Sequence, residues 1–116
     1  MTRAEQLART WIDCWNEGRP DDIPLAPDFV HTSPFGRVEG RDTYMDWVKP
    51  LAADNVSTLT IISTVGSDDE AVVRFDMNTP HGVIAACDWV RIEGDEIAEI
   101  HSYYDATVLR PPQQGD

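Results

Sequence analysis

"RFDMNTPHGVIAACDWVRI", residues 74–92, reads as two β-strands joined by a turn at "PHG". β-Branched and aromatic residues on both sides of a Pro/Gly turn are a hairpin signal. Each strand carries an aspartate in its middle, Asp76 and Asp88, among residues that otherwise belong in a core. A carboxylate removed from water is expensive unless it is paired, protonated or used. In "VIAACDWVRI" alternation sets Ile84, Ala86, Asp88, Val90 and Ile92 on one side, with Ala85, Cys87, Trp89 and Arg91 on the other. The first set is nearly all apolar, so it faces the core and takes Asp88 with it. The companion strand leaves two options. Hydrophobicity turns Val73, Phe75 and Met77 inward and leaves Arg74 and Asp76 as a solvated pair; the other register puts Val72, Arg74, Asp76 and Asn78 inside.

The flanking sequence supplies what this hairpin packs against. "TRAEQLARTWIDCWNEG" has Thr2 and Glu5 at capping-box spacing, then Ala4, Leu7, Ala8, Trp11, Cys14 and Trp15 on one helical stripe, with a stop at Gly18. "RPDDIPLAPDFV" holds three prolines and leaves room for at most a turn of helix between Asp21 and Leu25. A short strand is expected from Phe29 to Ser33, with a turn at Pro34–Gly36 and a brief return at Val38. "RDTYMDWVKPLAADN" predicts a second helix with Tyr44, Trp47, Val48 and Leu51 on one face, kinked or ended near Lys49 by Pro50. "VSTLTIISTVG" and "IAEIHSYYDATVL" add strands before and after the hairpin. Strands so closely spaced pair antiparallel with their neighbours. Two helices leading a run of strands give an α+β layer, with helices covering one face of a curved sheet.

With 116 residues the chain is expected to be one domain over 1–110, followed by a disordered tail, "PPQQGD", at 111–116. Nine basic against 21 acidic residues give a net charge of −12. So acidic a surface opposes nucleic acid and anionic membranes as partners. Cys14 and Cys87 lie among apolar neighbours and read as small hydrophobes rather than a disulfide, and no leader or membrane-length apolar run is apparent. A cytoplasmic location is the simplest expectation.

Several segments together resemble the SnoaL-like branch of the nuclear transport factor 2-like superfamily. They are "WIDCWNEGR" on the first helix, "DFVHTSPFG", "VEGRDTY" entering the second helix, and the closing "IAEIHSYYDATVL", so the likeness spans roughly residues 4–109. Relatives there include ketosteroid isomerases, limonene epoxide hydrolases and polyketide cyclases. The resemblance implies a cone, a cystatin-like α+β barrel in which a curved antiparallel sheet wraps the N-terminal helices around a hydrophobic pocket. "CDWVRIEG" is similar to the strand on which ketosteroid isomerases carry a protonated oxyanion-hole aspartate, which puts Asp88 at that position. The second oxyanion donor falls at Trp11, and the general-base aspartate falls at Ser33. Serine cannot serve unaided as that base, so steroid isomerisation by that route is not implied. "VRFDM" looks like the epoxide-hydrolase strand whose arginine and aspartate share a catalytic network, which favours Arg74 and Asp76 facing inward. That network's second aspartate falls at Ser102, and its water-holding tyrosine and asparagine at Val30 and Thr32.

The residues themselves suggest acid–base chemistry. Burial raises the pKa of Asp88 toward that of a general acid, while Arg74 would keep Asp76 ionised and basic. His31, on the strand leading to Pro34, is a candidate accessory base. Trp11, Trp15, Phe29, Ser33, Phe35, Trp47, Ser102 and Tyr104 are the expected substrate-contacting wall, with Tyr44 a further candidate for its aromatic part. His81 belongs to a turn and His101 to the outer face. No histidine or cysteine spacing suits a metal, and no cofactor is expected. The function expected is isomerisation, cyclisation or epoxide hydration of a compact apolar molecule. The rivals are a non-catalytic ligand-binding or dimerising protein of the same fold, and a subunit of a mixed pair. Trp89, Cys87, His101 and Tyr103 make the outer sheet face too apolar for open solvent, so a homodimer through that face is expected.

Overall fold

The computed structural model describes residues 1–56 and 58–107. Helix α1 (Arg3–Asn16) and helix α2 (Arg41–Asn55) cover one face of a six-stranded sheet. The strands are β1 (Leu25–Ser33), β2 (Gly36–Glu39), β3 (Thr58–Gly66), β4 (Glu70–Thr79), β5 (Gly82–Glu93) and β6 (Glu96–Tyr103), in the spatial order β2-β1-β6-β5-β4-β3. The α+β class is as expected. The sheet, however, is mixed and does not close into a barrel: β1 runs parallel to β6, and β2 and β3 are its two edges. Irregularities within β1, at Ile61–Ser63 and at Arg91–Ile92 interrupt the ladder and allow the sheet to curve over the helices.

Local chemistry explains the helices. At α1 the Thr2 hydroxyl accepts from the Glu5 amide, and the Thr2 amide donates to the Glu5 carboxylate, completing the capping box. Ala4, Leu7, Ala8, Trp11, Ile12 and Cys14 form its buried stripe. Asn16, at its end, binds the sheet edge. Its side-chain amide donates to the Leu59 carbonyl at 2.7 Å and accepts from the Leu59 amide at 2.8 Å, as a neighbouring strand would. Gly66 ends β3 where a Cβ would lie 2.6 Å from that of Ala71, so no larger residue fits without displacement.

Three boundaries differ from expectation. The first strand starts at Leu25, earlier than Phe29, because its partner β6 begins to pair there, at Ile97. Helix α2 runs through Pro50 to Asn55. A proline removes only one amide from the helical ladder, and the turns beyond it stay packed where Leu51, Ala52 and Ala53 border a cavity. The last strand stops at Tyr103, while Val108, Leu109 and the tail lie outside the described residues. No helix among the described residues is long and apolar enough to cross a membrane.

Candidate functional site

Three neighbouring strands each deliver one polar side chain to the inner sheet face. Asp88 on β5 sits directly opposite Ser102 on β6, and β1 brings His31 alongside β6 next to it. All three are buried, at 2, 8 and 5 % exposure respectively. From α1 above them, the Trp11 indole Nε1–H donates to Asp88 Oδ2 at 2.9 Å. His31 Nε2 and Ser102 Oγ are 2.9 Å apart. Asp88 Oδ1 and His31 Nδ1 meet no hydrogen-bond partner among the described residues.

Burial governs the proton affinities. Desolvation pushes the Asp88 carboxyl up to about 6, with the adjacent Ser102 hydroxyl and the Trp11 indole pulling the other way. Although Ser102 is near enough to moderate that shift, it does not close a well-formed bond to Oδ1. Burial, and secondarily the charge of His101, push His31 down to about 4, so its ring is neutral at physiological pH. The Tyr44 hydroxyl is driven up by burial, then by the Asp88 charge and by Tyr104. A neutral His31 that donates from Nε2 to Ser102 leaves the serine proton free to turn toward Asp88. That arrangement accompanies the ionised carboxylate, and it leaves His31 Nδ1 as a bare acceptor.

These groups border a cavity of about 420 Å³ between the two helices and the sheet. Of the residues expected at the site, Asp88, His31, Trp11, Trp15, Trp47, Ser102 and Tyr104 line it. Phe29, Ser33 and Phe35 are not among its lining residues. Phe29 is fully buried behind the wall, in contact with the rings of Trp11, His31 and Tyr44. The Ser33 hydroxyl accepts from the Phe35 amide in the β1–β2 turn, and the Phe35 ring packs on Trp47 and Tyr104. Tyr44, a candidate for the aromatic wall, lines it too, whereas Phe75, Met77 and Lys49 line it without having been singled out as site residues. Phe75 and Met77 gave only a core signal, since an apolar stripe does not distinguish packed wall from cavity wall.

Arg74 and Asp76 require a correction. Their side chains, 37 and 29 % exposed, pair with each other at 2.9 Å and do not line the cavity with Asp88. Both lie on the outer sheet face, in register with Cys87 and Ala85 of β5. The reason is the alternation itself: Val73, Phe75 and Met77 are all buried, and turning β4 over would desolvate a guanidinium and a carboxylate in their stead. The cavity therefore holds one carboxylate rather than two of diverging proton affinity. His101 is on the outer face as expected, 2.9 Å from Glu99 and edge-on to Trp89, and His81 is exposed in its turn.

The site does not reproduce a Ser-His-Asp triad, because no carboxylate holds His31 Nδ1. What it can do is exchange a proton near neutrality through Asp88, beside a neutral imidazole and a hydroxyl. Among the described residues no cluster of His, Cys, Asp or Glu is disposed to hold a metal ion.

Comparison with known proteins agrees with this fold. The sequence matches the family described as the SnoaL-like domain over residues 8–100. No curated protein matches it significantly. Among solved structures it is similar to a candidate ketosteroid isomerase from Kribbella flavida (16% identity, TM-score 0.79, 97% of this chain and 85% of that one). It is also similar to a candidate polyketide cyclase from Sinorhizobium meliloti (17%, 0.75, 84% and 94%). A third is a hypothetical protein from Catenulispora acidiphila with a ketosteroid isomerase-like fold, solved in complex with trimethylamine (16%, 0.74, 94% and 91%). At these identities the likeness is one of fold.

Proposed function

The chain belongs to the SnoaL-like domain family, and we propose that its cavity receives a compact, mainly apolar molecule with which Asp88 exchanges a proton. The observation that carries this reading is the Asp88 carboxyl, 2 % exposed, held by the Trp11 indole through one oxygen while the other has no partner among the described residues. A half-satisfied buried carboxyl is a liability in a mere core and an asset facing a ligand. With its proton affinity pushed up to about 6, Asp88 is ionised enough at neutral pH to take a proton and weak enough as an acid to return it. Isomerisation or cyclisation next to a carbonyl needs that exchange, with Tyr44 or Ser102 as the polar contact for the oxygen. Epoxide opening would need a second proton-handling group, which falls to His31.

A second reading, ligand binding without turnover, is favoured by the exclusion of Arg74 and Asp76 from the cavity. The two readings separate in one experiment. The protein is mixed with a panel of compact ketones and epoxides, scored for thermal shifts, and each hit is followed by NMR in D₂O for α-proton exchange or epoxide opening. Exchange or opening above the solvent rate is the result expected of the enzyme. Binding with no exchange leaves the binding reading, and a panel without any shift removes both.

For the outer sheet face we infer a second copy of this chain as the cover. That face exposes Tyr103 and Val83 beside half-buried Trp89. Its charges occur in opposite pairs, Arg74 with Asp76 and Arg91 with Glu93 and Glu99. Two copies of a chain with net charge −12 meet most readily on a face so balanced. Sedimentation velocity at 10–100 μM is expected to give a dimer that Trp89→Glu shifts to monomer, and a wild-type monomer throughout would rule the interface out. Both cysteines are unpaired, which suits a reducing, cytoplasmic setting.

A further inference from the structure

The polar groups around the cavity are unevenly matched. Three buried side-chain polar atoms lack a partner among the described residues; two of them, Asp88 Oδ1 and His31 Nδ1, belong to cavity-lining residues, and the third is Thr32 Oγ1. The Trp11 indole is already spent on Asp88 Oδ2, and the Ser102 hydroxyl beside it is a neutral donor that brings no counter-charge. With His31 donating from Nε2 to Ser102, the two unpartnered atoms on the wall are both acceptors, one of which carries a full charge when Asp88 is ionised. Among the described residues the cavity holds no cation free to balance it. Lys49, the one lysine on its lining, is paired with Asp21 at 2.6 Å, and Arg74 is outside with Asp76.

The walls around this unbalanced carboxylate are aromatic: Trp11, Trp15, Tyr44, Trp47 and Tyr104 all line the cavity. Indole and phenol faces attract cations, most strongly where water is excluded. An ionised carboxylate buried without a counter-charge is stabilised by any cation that can reach it. The net charge of −12 raises the local concentration of cations and lowers that of anions. We propose that the occupant is a compact organic ammonium, an apolar body bearing one protonated amine, with its N–H on Asp88 Oδ1 and its body among the indole and phenol rings. This rests on the reading of the cavity as a small-molecule site and narrows it to a charge class. It also assigns the pairing: the ligand supplies the counter-ion that the protein omits.

The pH dependence follows from the titratable groups around Asp88. Those that line the cavity with it are His31 from β1, Tyr44 and Lys49 from α2 and Tyr104 beyond β6, while Trp11 from α1 and Phe75 and Met77 from β4 do not titrate, nor does Val73, its partner in register on β4. His31, pushed down to about 4, is mostly neutral at pH 5 and above, and burial drives the Tyr44 hydroxyl up, away from that range. Ammonium affinity between pH 5 and pH 8 therefore tracks the ionisation of Asp88.

Cyclohexylammonium and cyclohexanol, equal in shape and different in charge, provide the test by isothermal titration calorimetry at both pH values. Cyclohexylammonium is expected to bind at least tenfold more tightly than cyclohexanol at pH 8. Its affinity should fall about tenfold at pH 5, where only about a tenth of the carboxyls are ionised, while that of cyclohexanol should not change. In Asp88→Asn the preference for the ammonium should vanish and cyclohexanol should still bind. Should that variant fail to fold, the wild-type pH ratio alone decides. Equal or tighter binding of cyclohexanol at pH 8, a flat pH response, or a preference retained in Asp88→Asn would overturn the ammonium assignment and leave the cavity a small-molecule site. Binding of neither probe would overturn the assignment together with the reading beneath it.

Discussion

Asp88→Asn is expected to slow proton transfer to a bound substrate by 10²–10⁴-fold, the usual contribution of a positioned acid–base group, and at the same time to make the protein more stable at pH 8. The second effect follows from linkage. The Asp88 carboxyl is raised from 3.8 to about 6 on folding, so the folded state binds the proton more tightly than the unfolded one. Its favourable contribution is complete below pH 3.8 and is lost as pH rises through 6, where the buried site must hold a charge. Two units correspond to about 3 kcal/mol. Asparagine keeps an oxygen for the Trp11 indole and never ionises. Because its amide also brings new donors into the site, a gain of about 2 kcal/mol at pH 8 is expected rather than the full amount. His31 works in the opposite sense. Its folded value of about 4 lies below the usual 6.5 of a histidine, so its contribution is present above pH 6.5 and lost as pH falls toward 4. In the wild type the two trends oppose each other over nearly the same window and hide one another. Urea denaturation of wild type and Asp88→Asn at pH 4 and pH 8 separates them: a stability difference large at pH 8 and gone at pH 4 is the expected result. A variant less stable than wild type at pH 8 would mean that Asp88 is an ordinary satisfied core residue.

What the sequence revealed, and what it hid, divides along the range of the interactions. Alternation within β5 put Asp88 inside, because Ile84, Ala86, Val90 and Ile92 share its face and all are buried. The capping box and apolar stripe of α1 were equally legible, both being set within a few residues. For β4, hydrophobic alternation and likeness to a catalytic strand pointed in opposite directions. Burial of Val73, Phe75 and Met77 decided the matter for alternation, since the apolar gain of three large side chains outweighs any advantage of drawing an ion pair inside. The pairing of His31 with Ser102 could not be read at all. It depends on the parallel contact of β1 with β6, between residues 71 apart in sequence, and nothing local encodes such a partner. Phe29 and Tyr104 look alike as pattern, yet one is sealed in the core and the other borders the cavity. That distinction belongs to the shape of the assembled layers.

Phe29→Ala is expected to cause the largest loss of stability, about 3–5 kcal/mol, by removing a fully buried aromatic ring. Phe29 is 0 % exposed, and its ring centroid lies 5.3 Å from that of Tyr44, 6.2 Å from Trp11 and 6.3 Å from His31. Its carbonyl also accepts from the Gly40 amide at 2.7 Å, fixing the entrance to α2. That backbone bond survives the substitution, so the loss isolates the ring. Three residues of the site lean on it without its lining the cavity: Trp11, which holds Asp88; His31, which meets Ser102; and Tyr44. For a domain of this size such a loss is a third or more of the total stability, so the midpoint of urea unfolding should fall sharply while its slope stays constant. Phe29→Leu, which fills much of the same volume, should recover more than half of the loss. Ligand affinity measured well below the unfolding midpoint should weaken in Phe29→Ala as well, since a void behind Trp11 and His31 lets both rings move away from the positions that the carboxyl and the serine require. A loss below 1 kcal/mol would show that the aromatic cluster is not what holds the polar row in place. The geometry around Asp88 would then rest on the strand pairing of β5 with β6 alone.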